Sequence, residues 1–271
     1  MSTAIGYFFG HSGAWFALNI FHTLIGTALM ASGTAALNQW YERESDLLMN
    51  RTKMRPLPSG RLLSHRAMWF GIALAIAGTL ELGFGVNWLT AGLCVATLFM
   101  YLFLYTPLKQ RTWWSTTIGA FPGAMPPLIG FAGAAGKLTA EAWVLGAILF
   151  LWQFPHFYAI AWMYREDFGN AGLHMVSVND ATGQRTATHA VISALVLFPV
   201  SLLPSWIGHS GLFYAVVAGF LSLVFLAAAI RFARQPDRPH ARTLFLTSII
   251  YLPLILIALV VDLPIKSYLG W

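Results

Sequence analysis

The chain alternates long apolar stretches with short polar ones, and each apolar stretch matches the helix of about 20 residues that a bilayer core requires. Eight such stretches lie near 14–37, 67–86, 88–106, 114–134, 141–161, 189–208, 211–230 and 243–262. Residues 1–9 (MSTAIGYFF) are also apolar but too short to cross, and are expected to form the stump of a further helix. They lack the basic n-region and small-residue cleavage site of a secretory signal. The pattern predicts an all-α integral membrane protein, a transmembrane bundle of eight full spans plus a short or incomplete first helix. Two long polar loops, 38–66 and 162–188, each follow one span and precede three others. This suggests two pseudo-repeated four-helix halves, near 14–134 and 141–262. No linker or low-complexity stretch divides them, so residues 1–271 read as a single membrane-embedded domain.

Composition strengthens that reading. Apolar residues make up 58% of the 271 and charged residues 10%, against about 45–50% and 25% in a soluble domain. The net charge of +6 invites a nucleic-acid reading, but basic residues of membrane proteins collect on the cytoplasmic side. Fourteen of the sixteen Lys and Arg fall in the 38–66, 107–113, 162–188 and 231–242 loops and flanking turns, leaving only Lys137 and Lys266 opposite. These loops are therefore expected to face the cytoplasm. The bilayer, not nucleic acid, is the expected partner. The lone Cys94 excludes an intrachain disulfide. No mitochondrial transit peptide is visible, which points to a bacterial inner membrane.

The ten acids locate the chemistry. Residues 38–61 read NQWYERESDLLMNRTKMRPLPSGR, and Asn38, Glu42 and Asp46, four apart, share one face of a continuing helix. One amide and two carboxylates offer oxygen ligands suited to Mg²⁺, which binds through one or two carboxylates plus substrate phosphates. Arg51, Lys53 and Arg55 follow at once, a cationic cluster suited to a diphosphate. A solvated charged loop obeying the orientation rule is the simpler account of the basic residues alone. Glu44 is out of register and is expected to pair with a neighbouring Arg.

In residues 104–136, LYTPLKQRTWWSTTIGAFPGAMPPLIGFAGAAG, Tyr105, Thr106, Lys109, Arg111 and Thr112 sit at the cytoplasmic mouth. The Gly and Pro residues lie within a span, where tight helix packing also explains them. In residues 152–175, WQFPHFYAIAWMYREDFGNAGLHM, Arg165, Glu166 and Asp167 follow their span just as the first loop follows its own. His156 lies inside the bilayer. Such a residue is a functional candidate and imidazole ligates haem iron, but a packed histidine hydrogen-bonded to another helix fits equally. His22 is read as a packing residue and Glu81 as snorkelling from an outer span end.

The Asn38-x3-Glu42-x3-Asp46 stretch with its NRTKMRPLPSG continuation, the YT-x-LK-x-RT and GA-x-PP-x-x-G segments, and WQ-x-PHF with YR-x-D-F-x-x-AG-x-x-M resemble the UbiA superfamily of intramembrane prenyltransferases. They are most similar to its haem-modifying branch. Together the matches cover roughly eighty residues in both halves.

The resemblance implies a nine-helix fold. It also implies transfer of a farnesyl group from farnesyl diphosphate to a vinyl carbon of haem b, giving haem O and diphosphate. It assigns Asn38, Glu42, Asp46 and Asp167 to catalysis and Mg²⁺, and Arg51, Lys53, Arg55, Lys109 and Arg165 to the diphosphate. His156 and Trp152 become candidates for haem, and haem A synthase or oxidase-assembly factors become candidate partners. The chain departs from many relatives at Met163, where they carry the first Asp of a second Asp-x3-Asp, and at Ser115, where they often carry Asn. Relatives also begin with a full first helix, so Met1 is expected to be a mis-assigned start. Two alternatives stay open: prenylation of an aromatic or quinone precursor, and a two-repeat transporter, whose charges would lie at the midplane on broken helices.

Overall fold

The computed structural model describes residues 1–11 and 16–269, except for the side chains of 16 and 263–269. The reading of Lys266 lies outside those side chains. The described residues form helices without a strand. Eight helices are long and apolar enough to cross a membrane: Ala17–Tyr41, Ser64–Gly85, Trp88–Leu108, Ser115–Ala135, Ala140–Met163, Gln184–Trp206, Leu212–Arg234 and Arg238–Asp262. The protein is a multi-pass membrane protein. Every span agrees with the hydropathy pattern, but most run three to five residues further at their charged end. Hydropathy stops at the first charged side chains, whereas backbone hydrogen bonding is indifferent to them and continues into the polar rim.

The chain forms two compact units. One comprises Met1–Leu138 with Arg165–Met175, the other Thr139–Tyr164 with Val176–Trp271. The expected boundary between halves is reproduced at 138/139, with one correction: residues 165–175 belong with the first unit. Their backbone explains why, since the His174 amide donates to the Lys109 carbonyl at 2.8 Å.

The first unit holds α1 (Ser2–Gly10), α2 (Phe16–Tyr41), α3 (Arg43–Leu47), α4 (Ser64–Gly85) and α5 (Trp88–Phe99). A π-helical segment (Met100–Tyr105) leads into α6 (Thr106–Leu108), followed by α7 (Ser115–Ala135). Small residues set the packing, as expected where apolar burial alone does not drive helices together. Gly33 of α2 faces α4 so closely that a Cβ would lie 2.8 Å from the Gly71 carbonyl oxygen. The expected helix at the N-terminus is present as α1. It meets α7 backbone to backbone, since a Cβ on Gly130 would overlap the Thr3 carbonyl oxygen. Pro122, Pro126 and Pro127 leave α7 helical and mostly buried. The π-helical segment has a cause in sequence: Pro107 lacks an N–H and its ring would strike the carbonyl four residues back. The wider turn relieves this, with the Thr106 amide bonded to the Tyr101 carbonyl.

The second unit holds α8 (Ala140–Met163), α10 (Gln184–Trp206), α11 (Leu212–Arg234) and α12 (Arg238–Leu269); α9 (Arg165–Asn170) sits in the first. Its core contains Tyr214, Tyr251, Phe225 and Phe232, all fully buried. The Tyr251 hydroxyl is satisfied by Ser201 Oγ at 2.6 Å and Ser222 Oγ at 3.1 Å. Two acids cap helices by accepting orphan amides. Asp180 takes those of Gly183 and Thr186 at 2.9 and 2.7 Å, and Asp262 those of Gly211 and Tyr214.

One expectation for a single residue needs correction, and another holds. His22 is a packed histidine bonded to another helix, and its partner is Glu81, expected to snorkel: Nδ1 of His22 on α2 lies 2.6 Å from Glu81 Oε1 on α4, with both side chains half-buried. Gly85 makes the room, because a Cβ there would come within 3.0 Å of the His22 ring. Glu44 behaves as expected and pairs with Arg43 at 3.0 Å.

Candidate active site

The last turn of α2 and the short α3 carry the first group of candidates. The Glu42 amide donates to the Asn38 carbonyl at 2.9 Å, and the Asp46 amide to the Glu42 carbonyl at 2.8 Å. The four-residue register therefore survives the break between α2 and α3, and Asn38, Glu42 and Asp46 keep a common face. Asn38 and Asp46 are buried. The Asn38 amide nitrogen donates to Thr106 Oγ1 at 3.2 Å, and that hydroxyl donates to the Tyr101 carbonyl at 2.8 Å. This chain turns the Asn38 Oδ1 oxygen to the acceptor role.

Each carboxylate meets a cation from outside α2 and α3. Lys109 Nζ lies 2.8 Å from Glu42 Oε1, with side chains 11% and 14% exposed, and Arg55 Nη1 lies 2.9 Å from Asp46 Oδ2. Lys109 also stands over the Tyr105 ring, 4.2 Å from its centroid, and 5.9 Å from that of Tyr101. Burial works against its charge, but Tyr105, the Glu42 carboxylate and Tyr101 outweigh it and hold the ammonium above the ordinary lysine range. Lys109 is thus favoured as an ammonium, held between the Glu42 carboxylate and the Tyr105 ring.

The loop after α3 is ordered by its own polar groups. Thr52 Oγ1 donates to the Asp46 carbonyl at 2.8 Å, Ser59 Oγ to the Arg55 carbonyl at 2.7 Å, and Arg61 to the Met54 carbonyl. Asp167, at the first turn of α9, accepts from the Asn50 amide and side chain at 3.3 Å each and from the Arg51 amide at 3.4 Å. Asn50 in turn accepts from Lys53 Nζ at 2.8 Å, and the Arg51 guanidinium lies 5.9 Å from the Phe168 ring centroid. The predicted Asp167 and Arg165 therefore lie on the segment that clasps the first loop, with Glu166 exposed beside them. Asn50 was not singled out from sequence. It lies in the NRTK run, and the cue was its amide, which can donate and accept at once.

Asn38 and Arg55 also line a cavity of about 410 Å³, walled by α2, α5, the π-helical segment and α7. Apart from its polar mouth the lining is largely apolar or small, including Met30, Ala31, Ala35, Pro122, Pro126 and Ile129.

His156 and Trp152 lie on α8 in the second unit. Trp152 Nε1 donates to the Ser248 carbonyl at 2.8 Å, and His156 Nδ1 is 2.7 Å from Ser248 Oγ. The rings stack at 4.9 Å, and Phe245 covers His156 at 5.1 Å. Because Ser248 Oγ donates its one proton to the Phe245 carbonyl, it must accept from His156. The network thus assigns the proton to Nδ1 and the lone pair to Nε2.

No three His, Cys, Asp or Glu among the described residues gather as a ready metal cage. The donor set fits Mg²⁺ in another way. Asn38 Oδ1, the second oxygen of Glu42 and that of Asp46 are hard oxygen donors of the kind Mg²⁺ takes, and that ion is commonly completed by substrate phosphate rather than by protein alone.

An all-helical membrane fold with an acid- and base-lined rim over an apolar cavity defines a class of intramembrane enzyme acting on amphiphilic anions. The UbiA prenyltransferase family model matches residues 1–252, and the chain belongs to that family. It is a prenyltransferase. It is 57% identical, over 97% of its length and 94% of the relative's, to a protoheme IX farnesyltransferase of Solibacter usitatus (strain Ellin6076). Its fold is similar to that of a solved digeranylgeranylglyceryl phosphate synthase, with a TM-score of 0.80 at 19% identity over 96% of this chain and 91% of that one. It is also similar to a UbiA homologue from Archaeoglobus fulgidus bound to DMAPP and Mg²⁺, with a TM-score of 0.65 at 13% identity over 96% and 94%.

Proposed function

We propose that this protein transfers the farnesyl group of farnesyl diphosphate to a vinyl carbon of haem b, giving haem O and diphosphate. The observation that carries the reading is the pairing of Glu42 with Lys109 and of Asp46 with Arg55 beside an apolar cavity. The likeness to a protoheme IX farnesyltransferase names the acceptor. Asn38, Glu42 and Asp46, with Asp167 as a further oxygen donor, would hold Mg²⁺. When bound, that ion neutralises charge on the diphosphate leaving group.

The protein's own cations act on the same charge. Arg55 and Lys109, with Arg51, Lys53 and Arg165, bind the diphosphate as the allylic C–O bond breaks and its electron pair departs. The buried Lys109 needs no reorganisation to do so. The allylic cation is then attacked by the vinyl carbon, and water adds to the cation left on the haem side chain with loss of a proton. Apolar walls keep water from the allylic cation until the carbon–carbon bond forms. The excess of Lys and Arg in these loops supports a site that faces the cytoplasm from a bacterial inner membrane.

Membranes containing the protein, given farnesyl diphosphate, Mg²⁺ and haem b, are expected to release diphosphate and form a heavier, hydroxylated haem. Prenylation of a quinone precursor with haem left unchanged would overturn the acceptor.

In the second unit His156 is the haem-iron ligand in this reading, supported by its Nδ1 bond to Ser248, which leaves Nε2 as donor. His156→Ala is expected to shift the Soret band of the haem-loaded protein and to weaken haem binding at least tenfold, the scale of a lost ligand. An unchanged spectrum and affinity would remove His156 from that role.

A further inference from the structure

In the first unit Arg43, Arg55, Arg61 and Lys109 each meet an acid or a carbonyl. The second unit carries four cations that do not. Arg231 and Arg234 end α11, and Arg238 and Arg242 begin α12. All four are exposed, and none has an ion-pair or hydrogen-bond partner for its side chain among the described residues. The one acid between them, Asp237, is engaged by His240, accepting from its amide at 2.8 Å and lying 2.7 Å from its Nδ1. The two helices pack through Phe225 and Tyr251 and are joined by residues 235–237, so the four arginines gather at one end of the pair. The turn is held in place: Gln184 Nε2 donates to the Ala233 carbonyl at 3.1 Å, and a Cβ on Gly183 would lie 2.6 Å from Pro236 Cβ. Like charges three or four apart on a helix repel, and Arg238 also stands at the positive end of the α12 dipole. The orientation rule asks for basic residues on one side of a membrane, but not for this crowding. The arrangement calls for an anion.

Depth in the membrane selects which anion. The 23 residues of α11 rise roughly 34 Å, against a hydrocarbon core of about 30 Å. Its last turn therefore reaches the headgroup layer, where lipid phosphates lie. Away from the arginines the same helix faces are apolar and exposed. On α11, Ala227, Val224 and Phe220 stand four, seven and eleven residues from Arg231, and on α12, Leu246 and Ile249 stand four and seven from Arg242. Phe220, with Val217, Leu221 and Leu254, lines an open groove of about 370 Å³ between the two helices. Phe220 is roughly 16 Å along the helix from Arg231, about half the hydrocarbon core and so the depth at which an acyl chain ends. We infer that this end of α11 and α12 binds an anionic phospholipid, its phosphate held by Arg231, Arg234, Arg238 and Arg242 and an acyl chain laid along α11 to the groove at Phe220. A soluble acidic partner would use the arginines but not the apolar track, whereas a lipid uses both. None of these residues belongs to the proposed transfer site, so the test does not depend on that reaction.

The test titrates purified full-length protein in detergent with phosphatidylglycerol or phosphatidylcholine and counts bound lipid by native mass spectrometry. Wild type is expected to hold one phosphatidylglycerol about tenfold or more tightly than phosphatidylcholine, since several basic side chains act on its net charge. Arg238→Gln combined with Arg242→Gln is expected to weaken phosphatidylglycerol about thirtyfold, which is roughly fivefold for each arginine at an anionic surface. Arg66→Gln combined with Arg111→Gln removes the same charge from the first unit and should leave that affinity unchanged. Ala227→Trp keeps all four arginines but blocks the apolar track, and should weaken the lipid without weakening soluble glycerol phosphate. Equal losses in the two arginine pairs, or equal binding of both lipids by wild type, would overturn the site and leave only a diffuse surface charge. Glycerol phosphate that binds as tightly as the lipid would overturn the lipid in favour of a free phosphate ester. Loss of haem b with phosphatidylglycerol binding intact in Arg238→Gln, Arg242→Gln would overturn it in favour of the haem carboxylates.

Discussion

Asp46→Ala is expected to abolish haem O formation, a loss of about 10²–10³-fold or more, as when one preorganised group is removed from a charge-stabilising site. Asp46 is 1% exposed and provides one oxygen to Arg55. In the proposed function its second oxygen would ligate Mg²⁺, so its loss would remove a ligand and free the guanidinium meant for the diphosphate. Glu42→Ala is expected to behave in the same way through Lys109. Haem O is measured in cells carrying each variant, with membrane content of the protein as the control. Near-normal haem O at normal protein level would sink the role of that carboxylate.

Lys109→Met is expected to have the largest effect on stability. The Lys109–Glu42 pair is nearly buried on both sides, and removing one partner of such a pair costs about 3–5 kcal/mol because it strands the other charge. Adding Glu42→Gln to Lys109→Met should return most of that stability and none of the activity, which separates folding from chemistry. Thermal unfolding in detergent reads the first and haem O formation the second. A single variant as stable as wild type would show the pair to be dispensable.

The pH dependence follows in sign. Lys109 holds its proton more tightly folded than unfolded. Its contribution is therefore complete below the ordinary lysine value of 10.5 and declines as the pH rises above it, by up to about 1.4 kcal/mol per pH unit. Titration from pH 7 to 10 should leave this contribution untouched.

The spans were legible because their signal is local: twenty apolar residues in a row can be recognised without knowing their neighbours. The register of Asn38, Glu42 and Asp46 was legible for the same reason, since a helix fixes its own periodicity. What the sequence concealed is contact at a distance. Lys109 was visible as a cation but not as the partner of Glu42, 67 residues away. Asp167 could be seen to occupy a place matching the first loop, but not to bind the backbone of Asn50 and Arg51, more than 110 residues earlier. Glu81 was misread because an acid near a span end ordinarily reaches water, and nothing local revealed His22 opposite. Asp180 and Asp262 carried no visible partner, since amides at helix starts look alike in every sequence. The cavity was equally hidden, because Met30, Cys94 and Ile129 are ordinary apolar residues until three helices meet.

The π-helical segment at Met100–Tyr105 sets the phase of everything after it. A wide turn holds one residue more than an α-turn, and each residue of a helix advances the side chains by about 100°. Tyr101 and Cys94 therefore address the cavity from one phase of the span, while Thr106 and Lys109 address Asn38 and Glu42 from another. One continuous span serves as two helices set at different clock positions. Shortening it by a single residue would leave hydropathy and length almost unaltered, yet would swing the ammonium away from its carboxylate. A residue gained or lost at this point of the chain would thus alter the candidate site, by parting Lys109 from Glu42 and Thr106 from Asn38, rather than merely lengthen or shorten a membrane anchor.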